Sequence, residues 1–285
     1  MFGLKQKRAA LKMATAAALP GVLLLSVYQA LAPAVSRGSS FIRRTGVLDI
    51  SLIIGAFFLY SIVREMAGGS TRDAFAHSFD IVKLEQSLGV FQEPRIQQWV
   101  LPSEALVRFF NFVYTYGHFP LIGVVGVWLF IFHRDRYLLF RNAFFVAGAI
   151  GLLVFNIFPM APPRLMPLPY GMEDTLSLFQ RVNYHSAGAF VNPYAAMPSM
   201  HVAFNLLLCL AIASASSGMR APWRAIGLAI SVVLPIVMAM AVVVTGNHYI
   251  LDVVAGYVVA AMGMGVALAV REHGWRVWRA LPATA

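Results

Sequence analysis

The sequence predicts an all-α integral membrane protein, a bundle of six transmembrane helices with an extra apolar segment at its N-terminus. Three observations carry this expectation. Charged residues make up 12% of the 285 positions, against roughly 25% in ordinary soluble domains. Apolar residues reach 59% and fall in long runs. Basic residues gather at one set of run ends and acidic residues at the other. So little charge does not cover a core of this size in water, and the bilayer is the solvent the runs imply.

A hydrocarbon layer about 30 Å thick needs roughly 20 helical residues to cross it. Six stretches have that length: 46–67, 105–132, 139–161, 200–219, 225–245 and 249–270. Each is predicted helical, because an unpaired backbone group in lipid is too costly, and no period-2 alternation marks a barrel. A seventh run, 13–35, follows Lys5, Lys7, Arg8 and Lys12 and contains Ala32-Pro33-Ala34, a small-residue cleavage-like site. It fits a signal peptide, a membrane helix or an interfacial helix, and Pro20, Ser26 and Gln29 weaken it as a span. The expected division is a tail and apolar segment at 1–45, one membrane domain at 46–270 and a cytoplasmic tail at 271–285.

Orientation follows from short-loop lysine and arginine. If six helices alternate from residue 46, Arg43, Arg44, Arg134, Arg136, Arg141, Arg220, Arg224, Arg271, Arg276 and Arg279 share one face with the basic tail. That face holds 15 of the 22 basic residues and 3 of the 12 acidic ones, so it is expected to be cytoplasmic. The net charge of +10 is then a topology signal, and a nucleic-acid partner is not implied. Cys209 is the single cysteine, which excludes an intrachain disulfide. No CxxC or HExxH motif occurs, and no metal or cofactor is expected.

Two longer polar stretches face outward. Residues 68–104 carry Phe75, Phe79, Val82 and Leu88 near helical spacing, which predicts a helix lying in the interface. Residues 162–199, rich in Pro, Gly, Asn and Tyr, read as a substrate-facing loop. No repeat and no separate soluble domain is visible.

Three motifs end on that outer face: Ala161-Pro162-Pro163-Arg164, Met197-Pro198-Ser199-Met200-His201, and His248-Tyr249-Ile250-Leu251-Asp252. On a helix, His248 and Asp252 share a face. The carboxylate then fixes the imidazole tautomer and leaves the other nitrogen basic, a nucleophile suited to phosphorus. His201 opens another helix, placed to protonate a leaving alcohol. Ser199 supplies a cap beside free amides, a natural anion site, and Arg164 suits bidentate phosphate binding. A lone histidine at a membrane end is usually an interface residue; two, with an i+4 aspartate and an arginine, point to chemistry.

At these residues the chain resembles the type 2 phosphatidic acid phosphatase superfamily, whose fold is shared with vanadium haloperoxidases. The family motifs are KxxxxxxRP, PSGH and SRxxxxxHxxxD. The resemblance assigns the phosphohistidine nucleophile to His248, its orienting partner to Asp252 and the leaving-group acid to His201. It implies a metal-independent phosphatase or phosphotransferase acting on an amphiphilic phosphate ester in the bilayer of the cell membrane. The chain departs from the pattern at three places. The family lysine falls at Ile157, the proline after arginine at Leu165, and the serine–arginine pair at Ala241 and Val242. Arg181 and Asn247 are candidate replacement donors. The string His248-Tyr249-x-x-Asp252 is similar to the branch holding inositol phosphorylceramide synthase and sphingomyelin synthase, which transfer head groups, so hydrolysis and transfer both stay open.

Asn111, Tyr114 and His118 recur at spacings of three and four, suiting either a head-group pocket or interhelical hydrogen bonds. Glu173, Asp174 and His185 read as loop residues, and His77, His133 and His273 as surface ones. The alternative function is a lipid transporter or flippase that uses the same cluster to bind phosphate. Such a protein has paired broken helices in matching halves, and the sequence shows no such pair.

Overall fold

The computed structural model describes residues 47–66, 70–180 and 192–280. These form ten α-helices and one 3-10 turn. The helices are α1 (Val47–Met66), α2 (Thr71–Ser87), α3 (Glu93–Val100), α4 (Glu104–Tyr116), α5 (Phe119–Phe132), α6 (Arg134–Ile157), α7 (Thr175–Gln180), α8 (Met200–Ser216), α9 (Ala221–Val244) and α10 (Ile250–Ala280). No strand occurs among the described residues; Met160 and Ala195 form an isolated bridge. The N-terminal stretch 1–46 with its apolar segment 13–35, the last five residues 281–285, and Arg181 and His185 lie outside the described residues.

By length and composition α6, α9 and α10 suffice to cross a membrane, and α4 with α5 counts as a fourth candidate if the pair, bent by 50°, is taken as one span. The sequence predicts one continuous helix over 105–132; the structure breaks it at Gly117 and His118. The physical reason is local. Pro120 lies in the first turn of α5, where its missing N–H costs nothing, but it cannot continue the hydrogen-bond ladder of α4. Helix α8, at 17 residues, is apolar but shorter.

The stretch 68–104, expected to face outward as one helix, forms two helices within its described residues 70–104. Ser70 caps α2 by accepting the Asp73 N–H at 3.0 Å, and Pro94 opens α3. Val82 is buried and Phe75 and Phe79 are half-buried against Tyr249, Met160 and Tyr170, while Leu88 stays exposed. His77 is not the surface residue expected: its Nδ1 meets the Pro159 carbonyl at 2.7 Å and its ring stacks on Phe158.

Helix α8 packs against α6 and α10 through Ala143 and Ala147 of α6, Ala203 and Leu207 of α8, and Val259 and Ala260 of α10. Small residues let helix backbones approach closely, which is how apolar helices gain packing energy in lipid. One close backbone approach is at Gly256 of α10. A Cβ there would sit 2.5 Å from the Ser199 carbonyl oxygen. At the end predicted cytoplasmic, Asp49 of α1 pairs with both Arg134 and Arg141 of α6.

Candidate active site

The turn joining α9 to α10 sets the site. Gly246 has φ of +70°, a conformation that disfavours any side chain, and the Glu173 carbonyl and Arg164 Cβ leave no room for one. The Gly246 carbonyl accepts the Arg164 N–H at 2.8 Å. Arg164 Nε then donates to Asn247 Oδ1 at 3.0 Å. The Asn247 amide donates to the Thr245 carbonyl and hydroxyl. Asn247 thus holds Arg164, with its own amide hydrogens engaged inside the turn.

His248 and Asp252 are both buried, at 5% and 0% exposure. Asp252 Oδ2 lies 3.3 Å from His248 Nδ1 and accepts the Tyr249 N–H at 2.9 Å. Burial lowers the His248 pKa to about 3 against a smaller opposing effect of the Ala196 backbone, and Arg164 and Arg64 lower it further. The imidazole is therefore neutral at physiological pH, the form with a lone pair to donate.

His201, in the first turn of α8, has its ring centroid 6.2 Å from that of His248. It stacks on Tyr114 at 4.3 Å and lies 4.9 Å from His118. All four rings, with Arg164, Arg64, Asn192 and Asn247, line one cavity of about 120 Å³. Phe119 lines it too while itself 57% exposed, so the cavity reaches the outer surface of the bundle beside the α4–α5 break. Asn111 lies elsewhere: it is buried and hydrogen-bonds Thr175 from both ends of its amide.

Ser199 precedes α8 as its N-cap residue, but its side chain makes no capping bond. Its hydroxyl is buried without a partner among the described residues. Its N–H donates to the Asp252 carbonyl at 3.1 Å, tying the start of α8 to the first turn of α10.

Sequence reasoning missed three groups. Arg64, near the end of α1, lines the cavity; a lone arginine in an apolar stretch was its signal. Glu85 of α2 and Glu93 of α3 are fully buried and grip the start of α10. Glu93 Oε1 accepts the Ile250 N–H at 2.7 Å and Glu85 Oε1 the Leu251 N–H at 2.8 Å. Each leaves a buried Oε2 without a donor among the described residues. Burial first, then the adjacent Glu93 carboxyl, raises the Glu85 pKa to about 9, so Glu85 keeps its proton at neutral pH.

A bundle of apolar helices thus brings His248, His201, Arg164 and Arg64 to one cavity, with Asp252 buried behind His248. In comparison with known sequences, the PAP2 superfamily profile matches residues 79–266, and the chain belongs to that superfamily. Its members typically hydrolyse phosphate esters. An uncharacterized protein of Methanocaldococcus jannaschii is 26% identical over 152 residues, covering 53% of this chain and 56% of that protein. The chain thus spans about half the length of this curated relative. No solved structure matches the chain.

Proposed function

We propose that this protein is a multi-pass membrane enzyme that cleaves or transfers the phosphate ester of an amphiphilic lipid through a phosphohistidine on His248. The observation that carries the reading is the single cavity shared by His248, His201 and Arg164, with Asp252 behind His248. In this reading α1 and α8 complete six spans, and the cavity opens toward the extracytoplasmic face.

The roles are those the family resemblance assigns, and the geometry supports them. Asp252 holds the Nδ1 side of His248, which leaves Nε2 to attack phosphorus. The bond from phosphorus to the leaving oxygen breaks as the N–P bond forms, and His201 gives that oxygen its proton. His201 then takes the proton of an entering hydroxyl, from water or a second lipid, whose oxygen displaces His248. Arg164, held by Asn247, neutralises charge on the non-bridging oxygens. Tyr114 and His118 border the head group. The exposed edge at Phe119 supports lateral entry of a lipid from the bilayer.

A transporter reading requires broken helices in matching halves; α4–α5 is the one bent pair among the described residues. The test is incubation of the purified protein with phospholipids, phosphosphingolipids and polyprenyl phosphates. Released phosphate or an exchanged head group, abolished in His248→Ala, is the expected result. Binding without turnover across the whole panel would overturn the enzyme reading.

A further inference from the structure

Chemistry at phosphorus in this cavity needs positive charge on more than one side, because charge on the non-bridging oxygens persists through attack and departure. The positions where the resemblance expects two of its clamping cations are Ile157, which is 52% exposed, and Val242, which is buried in packed helix. Neither supplies charge. Among the described residues, the arginines that line the cavity are Arg164 and Arg64.

Arg64 comes from the last turn of α1. Asn192 Nδ2 donates to its carbonyl at 3.0 Å, and Asn192 Oδ1 accepts the Tyr194 N–H at 2.8 Å. The Tyr194 carbonyl in turn accepts the Met160 N–H at 2.7 Å, four residues before Arg164. The two arginines are thus joined through the loop that forms the cavity wall. Arg64 Nε is buried and has no hydrogen-bond partner among the described residues. A dry guanidinium N–H without an acceptor is unfavourable, and an anion in the cavity offers the acceptor it lacks. The family match begins at residue 79, so α1 and Arg64 lie outside the matched region.

Resting on the phosphate-ester reading above, we infer that Arg64 is a second phosphate-binding cation, delivered by α1 to the cavity that Arg164 and Asn247 also line, to hold the non-bridging oxygens of the reacting group. In Arg64→Gln the side chain stays polar and loses its charge; in Arg64→Lys the charge stays and the planar fork is lost.

The experiment uses the full chain in lipid nanodiscs, with turnover of p-nitrophenyl phosphate and orthovanadate-induced thermal stabilisation as separate readouts. Arg64→Gln is expected to lower kcat/KM by about 10²-fold, the usual scale for one lost charge-stabilising donor. It should weaken vanadate stabilisation in parallel, with Arg64→Lys between it and wild type and the ligand-free Tm unchanged. An Arg64→Gln protein that turns over ester and binds vanadate like wild type overturns the role of Arg64 and leaves the functional reading standing. An Arg64→Gln protein with a lowered ligand-free Tm but an unchanged vanadate increment also overturns it, because Arg64 would then only brace α1. A wild-type protein inert toward both probes sinks the functional reading itself.

Discussion

Glu93 Oε1 accepts the backbone N–H of Ile250 at 2.7 Å, joining residues 157 positions apart. Glu85 does the same for Leu251, so two buried carboxyls from separate outer helices hold the amides that open α10. Acceptor oxygens at a helix N-terminus satisfy donors that have no partner within the helix. Because Asp252 sits one residue further on, these carboxyls also fix where the His248–Asp252 pair stands.

Glu93→Ala should therefore reduce activity without touching the cavity. Leaving a buried N–H unsatisfied costs about 1–3 kcal/mol, read as a lowered Tm and a reduced kcat. Glu93→Gln, whose amide oxygen still accepts, should recover most of both. Equal damage from Ala and Gln would mean that charge matters here and not the capping bond.

The same pair sets an alkaline limit. Glu85 titrates near pH 9 in the folded protein and near 4.5 when unperturbed. Between those values the folded chain binds more proton than the unfolded one, so stability falls as pH rises. This contribution is fully present below about pH 4.5 and is lost as pH passes through about 9. Thermal melts from pH 6 to 10 should show the decline, and Glu85→Gln, a mimic of the protonated form, should flatten it.

His248→Ala should abolish every turnover and any trapped phosphoenzyme. His201→Ala should spare a nitrophenyl ester relative to an alkyl ester, because an acidic leaving group needs little of the about 10²- to 10⁴-fold help a general acid gives. Asp252→Asn should slow both esters through the wrong imidazole tautomer while keeping the fold. The ratio of losses for the two esters in each variant is the measurement; equal losses in His201→Ala would remove it as the acid.

Topology is checked with Lys83→Cys, an exposed position on α2. The native Cys209 is buried in α8, so background labelling should be low. An impermeant thiol reagent should label the variant in intact cells; labelling only after lysis would reverse the orientation.

The sequence makes His201, His248, Asp252 and Arg164 legible because each sits in a short motif at a helix end, and topology alone brings those ends together. It hides Glu85 and Glu93. Ala74, Ser78, Val82 and Glu85 form one buried stripe at helical spacing, but a carboxylate on such a stripe reads as its polar edge until its acceptor role toward α10 is seen. Arg64 is hidden for a different reason: it shares a cavity with Arg164, 100 positions away, by way of a loop whose hydrogen bonds have no sequence pattern. The α4–α5 break was readable from Gly117 and Pro120, yet the surrounding apolar run masks it when only hydropathy is weighed.

Gly256 turns one of these contacts into a ruler. Its hydrogen faces the Ser199 carbonyl, where a methyl carbon would stand at 2.5 Å, and real carbons do not come so near. Two residues beyond Ser199 lies His201, and one turn before Gly256 lies Asp252. The gap between His201 and His248 is thus calibrated by an atom that is missing, not by one that is present. Adding a single carbon at 256 would widen the reach between the two imidazoles while leaving every chemical group in place. Such a protein would keep its reagents and lose their spacing.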